Sequence, residues 1–126
     1  MLCRRAEYVW VGGKNELRSK TKIFSEDKYS VNTLENLPIW NYDGSSTNQA
    51  TGKDSEVIIK PRRIYLNPFS KLESGSAMDV LVLCDTWLPN GKPHSTNTRV
   101  VAENIFSQKQ ELEPWFGMEQ EFFVID

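Results

Sequence analysis

The sequence is poor in the residues that most often carry metal or nucleophilic chemistry: 126 residues include two cysteines and one histidine. Cys3 and Cys84 fit no metal spacing and make no disulfide framework, so two ordinary thiols in a reducing, intracellular setting are expected. A single histidine, His94, gives no basis for a nucleophilic triad. It has no carboxylate or cysteine at ligand spacing, so it reads as a surface residue of a loop. Long apolar runs are also missing. The longest, Val80 to Cys84, is far too short to span a bilayer, so no membrane is expected. Met1-Leu2-Cys3-Arg4-Arg5 runs on towards Glu7 rather than into an apolar stretch, which excludes a visible secretory signal. Neither charge dominates: 15 Lys and Arg face 17 Asp and Glu, for a formal charge of −2. That balance points to no nucleic acid and no anionic surface as partner.

Hydrophobic residues make up 39% of the chain and charged residues 25%, the composition of a folded domain rather than a disordered one. One small domain is the default at this length. Four Trp, four Tyr and six Phe call for either an aromatic-rich core or a surface that meets a partner.

Ala6 to Val11 is a β-branched and aromatic run closed by Gly12-Gly13, and Leu17 to Phe24 alternates after it, so the two predict an antiparallel hairpin. Residues 25–55 show little periodicity and are expected to be irregular around the apolar island Leu37-Pro38-Ile39-Trp40. Val57 to Lys60 predicts a strand stopped by Pro61, with Ile64 to Leu66 as a short continuation. Lys71 to Met78 reads as a polar loop. Val80 to Cys84 predicts a central strand buried on both faces, and Asn90-Gly91 a turn. Residues 97–110 predict a helix, with Val101, Ala102, Ile105 and Phe106 as its apolar stripe and Thr96 or Asn97 as cap. Pro114 ends it. Gly117 to Ile125 alternates as a final strand, and because that strand needs neighbours to satisfy its backbone, the chain is expected to be part of something longer.

Two constellations stand out chemically. Glu119-Gln120-Glu121 would place both carboxylates on one strand face, Cβ atoms roughly 7 Å apart, suited to a hard cation such as Mg²⁺ or Mn²⁺. An isolated Glu-x-Glu is usually a solvated face, but here aromatic residues frame it on both sides, an odd place for like charges without a cation. Asn41-Tyr42-Asp43-Gly44-Ser45-Ser46-Thr47 is first of all turn chemistry. Its functional reading is an ionised Asp43 flanked by hydroxyl and amide donors, able to hold a small cation or accept a proton. Gly91-Lys92 lacks the first Gly and the Ser or Thr of a phosphate loop. Lys60, Arg62 and Arg63 read as a solvated strand end.

Taken in order, Ala6-Glu7-Tyr8-Val9-Trp10-Val11, Trp40-Asn41-Tyr42-Asp43-Gly44-Ser45-Ser46-Thr47, Asp54-Ser55-Glu56-Val57-Ile58-Ile59-Lys60-Pro61, Thr96-Asn97-Thr98-Arg99 and Trp115-Phe116-Gly117-Met118-Glu119-Gln120-Glu121 closely resemble the N-terminal third of glutamine synthetase, eukaryotic type. The resemblance implies an α+β fold: a β-grasp domain over residues 1–92, then the first helix and first strand of the catalytic domain over 93–126. It implies a cytoplasmic ligase that makes glutamine from glutamate and ammonia with ATP, through a γ-glutamyl phosphate, in rings that are decameric for the full-length protein. Position by position, Glu119 matches the ligand of the Mg²⁺ or Mn²⁺ ion nearer the ATP phosphates, and Glu121 the ligand of the ion nearer glutamate. Asp43 matches the aspartate that binds and deprotonates ammonium in a neighbouring subunit's site. The family's other ligands fall beyond Asp126, so the chain alone is expected to be inactive. The alternative is a β-grasp interaction module or a truncated pseudoenzyme without catalysis.

Overall fold

A computed structural model of the chain describes residues 3–25, 33–70 and 79–125. The loop expected over Lys71 to Met78 lies outside the described residues, as does part of the irregular stretch at 26–32. The fold is α+β: a curled five-stranded sheet and one short helix, of β-grasp type. The strands are β1 (Cys3–Val11), β2 (Leu17–Ser25), β3 (Trp40–Asp43), β4 (Glu56–Leu66) and β5 (Val80–Trp87), and the helix is α1 (Thr98–Phe106). Their order across the sheet is β2-β1-β5-β4-β3. β1 and β5 run parallel at the centre, and every other neighbouring pair is antiparallel.

The expected hairpin forms with Val11 paired to Leu17. Alternation then sorts side chains onto two faces. Ala6, Tyr8 and Trp10 of β1, Phe24 of β2, Ile59 of β4, and Val80 and Val82 of β5 are buried on the concave side with Leu37. The curl brings distant strands together across that side. Tyr8 meets Trp40 edge-on at 5.5 Å, and Lys20 on the edge strand β2 lies 3.5 Å from the Trp40 ring centre while its Nζ donates to the Asn41 carbonyl at 2.8 Å. The cation over the ring ties one sheet edge to the other.

Four expectations need correction. β5 is central, but its second face is only partly covered: Val80 and Val82 are buried on one side, whereas on the other Leu81 is half-buried, Leu83 exposed and Asp85 buried. Pro61 does not stop β4. β3 pairs with β4 only as far as Ile59, so the proline's missing N–H leaves no gap in that ladder, and a register shift between Pro61 and Arg63 carries the strand on to Leu66. A short strand, β3, sits in the stretch expected to be irregular. Finally, residues 113–125 form no strand. Among the described residues no neighbour pairs with them, and a strand exists only through its ladder.

Asn97 caps α1, its Oδ1 accepting from the Val100 N–H at 3.3 Å. After the helix, Ser107–Leu112 form 3₁₀ turns interrupted by a kink at Lys109, at φ −137° and ψ 39°. Val101, Ile105 and Phe106 of its apolar stripe are exposed. Among the described residues no helix is long and apolar enough to cross a membrane.

Candidate functional site

β3 ends at Asp43, where the chain turns into a 3₁₀ helix over Gly44–Thr47 and leaves through Asn48, at φ 58°. Asp43 is the N-cap of that turn. Its Oδ1 accepts from the Ser45 N–H at 2.9 Å and the Ser45 hydroxyl at 2.7 Å, while the Ser46 hydroxyl donates to the Asp43 carbonyl at 3.0 Å. The Ser45 hydroxyl, the Ser45 N–H and the Ser55 hydroxyl hold the carboxyl below the usual carboxylate range, because each donor stabilises the charged form. The result is an ionised, solvent-facing carboxylate with one oxygen already engaged.

Two glycines let this loop pack closely. A Cβ on Gly44 would stand 2.5 Å from Val57 Cγ2 and 3.0 Å from Ala50 Cβ. Its bare backbone instead donates to the Ser55 carbonyl and accepts from the Gln49 and Ala50 N–H groups. A Cβ on Gly13 would stand 2.4 Å from the Asn48 carbonyl oxygen, and the Gly13 N–H donates to the Thr47 carbonyl at 2.8 Å. The β1–β2 turn is therefore docked directly on the Asp43 loop. Arg18 adds a contact to the Ser46 carbonyl at 3.3 Å.

Beneath the loop lies a polar network with no local signature in the sequence. Gln49, Thr47 and His94 are buried, so the expectation that His94 is a surface residue is overturned. Gln49 Oε1 accepts from the Tyr42 and Thr47 hydroxyls, and its Nε2 donates to Thr96 Oγ1 at 2.8 Å. Buried polar groups need partners, and here Gln49 takes Tyr42 and Thr47 from its own loop and Thr96 and His94 from 45 or more residues away.

The basic cluster also divides. Arg62 pairs with the buried Asp85 at 2.8 Å, and Lys60 lies 3.7 Å from the Trp87 ring centre, whereas Arg63 stays exposed.

Glu119 and Glu121 lie in the exposed stretch that follows the 3₁₀ turn, with Trp115, Phe116, Met118, Phe122 and Phe123 exposed around them. Among the described residues, no three His, Cys, Asp or Glu side chains form a group that could hold a metal ion. The structure thus builds the Asp43 loop in detail and does not bring Asp43 together with the two glutamates.

Comparison with known proteins gives consistent matches. The chain is 50% identical over 123 residues to the glutamine synthetase nodule isozyme of Lupinus angustifolius, which covers 95% of this chain and 36% of that protein. It is 49% identical over 118 residues to a putative glutamine synthetase of Acanthamoeba polyphaga mimivirus, covering 94% and 32%. With the chloroplastic/mitochondrial glutamine synthetase of Arabidopsis thaliana it shares 47% over 124 residues, covering 95% and 27%. The chain therefore spans about a third of the length of these relatives. No family model matches it.

Proposed function

Because the chain is homologous over nearly its whole length to the glutamine synthetases, we propose that it supplies part of a glutamate–ammonia ligase, a cytoplasmic enzyme that makes glutamine from glutamate, ammonia and ATP through a γ-glutamyl phosphate. The observation that carries this reading is the identity of 47–50% to relatives of that name. Residues 1–92 would form the β-grasp domain and 93–126 the start of the catalytic domain.

In this reading Asp43 handles ammonium. Ammonium must lose a proton before its nitrogen can attack, and an ionised carboxylate both attracts the cation and accepts that proton. Ser45 supports the role by keeping the carboxylate charged through two hydrogen bonds to Oδ1, while the side chain as a whole stays open to solvent. Asp43 would serve the site of a neighbouring subunit in a ring, decameric in the full-length assembly.

Glu119 and Glu121 would contribute to the divalent Mg²⁺ or Mn²⁺ ions that neutralise phosphate charge when bound. Two exposed carboxylates do not fit such an ion by themselves, since a hard cation asks for about six oxygens and no third ligand joins them among the described residues. They are a partial ligand set.

The test joins this chain to the remaining two thirds of the lupin relative and measures glutamine formation. Asp43→Ala should lower ammonia-dependent turnover by about 10²–10⁴-fold, the range for loss of a positioned proton acceptor, with ATP binding unchanged. Synthesis at the unsubstituted rate would refute the role.

A further inference from the structure

His94 is buried, and both of its ring nitrogens are engaged. The Thr96 backbone N–H points at Nδ1 from 3.1 Å, so Nδ1 accepts. Thr96 Oγ1, which receives the Gln49 amide, is free to donate to the same nitrogen at 2.8 Å. Nε2 therefore carries the ring hydrogen and donates it to the Gln49 main-chain carbonyl at 2.5 Å. The turn that holds His94 is itself anchored. The His94 N–H and the Asn97 side-chain amide both donate to the Thr86 carbonyl, at the end of the central strand β5.

Gln49 receives this clamp and passes it on. Its Oε1 holds the Tyr42 hydroxyl, one residue before Asp43, and the Thr47 hydroxyl, at the end of the Asp43 turn. Its N–H closes the turn onto the Gly44 carbonyl at 2.9 Å. The loop is thus gripped on both sides of Asp43 by a residue that His94 and Thr96 hold from the far side.

We propose that His94 is a positioning residue for Asp43, acting through Gln49 to fix the turn that presents the carboxylate. The inference rests on the assignment of ammonium chemistry to Asp43. It is tested by readouts that involve no catalysis, so failure of that assignment and failure of this one are told apart.

The experiment uses NMR on the full 126-residue chain. In His94→Ala, amide exchange at Ser45, Gln49 and Gly13 should quicken about ten-fold, the cost of stranding one buried hydrogen-bond partner, while Tyr8 and Val82 in the sheet should be unaffected. The Asp43 carboxyl should titrate closer to an ordinary aspartate as its serine donors loosen. His94→Gln, which places an N–H near the Nε2 position, should restore both. A His94→Ala chain whose loop exchange and Asp43 titration match the parent would overturn the proposal. If that variant unfolds, the parent ring decides: the Nε2–H tautomer coupled to the Gln49 carbonyl supports the clamp, and the Nδ1–H tautomer refutes it.

Discussion

Trp10 and Tyr42 stack with ring centroids 4.3 Å apart and planes 28° from parallel, although strands β5 and β4 lie between theirs in the sheet. The contact exists because the sheet curls until its concave face closes on itself. Tyr42 also sends its hydroxyl to Gln49 and is half-buried, which pushes its pKa up to about 12. One side chain therefore belongs both to the aromatic core and to the support of the Asp43 turn. Trp10→Ala should lower stability by about 3–5 kcal/mol, the usual cost of emptying a buried aromatic site. Tyr42→Phe keeps the stack and loses one hydrogen bond, so about 1 kcal/mol is expected. Urea unfolding of the two variants checks the difference.

Close approach at Gly44 gives a sharper test of the loop. A methyl group there meets Val57 Cγ2 at 2.5 Å and the Ser55 carbonyl oxygen at 3.2 Å, so β4 or the turn must move. Gly44→Ala should cost about 1–3 kcal/mol, as overpacking usually does, and should shift the Ser45 amide resonance as the Asp43 cap opens. Gly52→Ala is the control. Nothing lies within 4 Å of its Cβ position, and a change within about 0.5 kcal/mol is expected.

Much of this architecture is legible in the sequence. The hairpin of β1 and β2 follows from a β-branched and aromatic run, two glycines and a second alternating run. Central β5 follows from five apolar residues in a row. β3 was hidden because Trp40 to Asp43 offers only two turns of alternation, too few to stand out in a polar stretch. Pro61 misled because whether a proline breaks a strand depends on which neighbour would have accepted its N–H, and that is a property of the sheet. The burial of His94 is hidden for a related reason. Its partners Gln49 and Thr96 make it a buried strut, and Gln49 lies 45 residues away. The hydroxyl neighbours of Asp43 signal its chemistry in the sequence, and the structure adds the means by which Ser45 engages it. The Glu119 and Glu121 reading leaned on an alternating strand whose ladder is not formed.

Asp79 offers a test in pH. Burial raises its pKa, but the Arg5 guanidinium, the Arg5 N–H and the Ser70 hydroxyl together outweigh that and hold it below the ordinary aspartate value. The contacts are 2.7 Å from Arg5 Nε, 2.8 Å from the Arg5 N–H and 3.2 Å from the Ser70 hydroxyl. A depressed folded-state pKa adds stability that is complete above the unfolded value of about 3.9 and disappears as pH falls through the lower folded value. Asp79→Asn should therefore cost about 1 kcal/mol near neutrality, the upper end for a pair whose arginine faces solvent. The gap between the two proteins should close as the solution is acidified below about pH 4. Thermal unfolding from pH 2 to 7 checks both sign and window.

The two thiols should separate cleanly in reactivity. Cys3 is exposed. Burial of Cys84, helped by the charge of neighbouring Asp85, pushes its thiol up to about 12, and the thiolate is the reacting species. Against an ordinary thiol of pKa about 8.5, Cys84 at pH 8 should react on the order of 10³-fold more slowly. Alkylation by iodoacetamide, followed by mass spectrometry, should therefore give Cys3 adduct first. The pH dependence identifies the route to Cys84. If the folded protein reacts, its rate rises about tenfold per pH unit beyond pH 9 as thiolate accumulates. If the chain must open first, the thiol takes its ordinary value and the rate levels off above about pH 9. Because Cys84 sits in β5, between β1 and β4, opening there breaks the centre of the sheet, and the second behaviour would report global unfolding. Trp10→Ala separates the routes further: under the opening route it should speed Cys84 labelling about tenfold for every 1.4 kcal/mol of stability lost, and under the direct one leave it nearly unchanged.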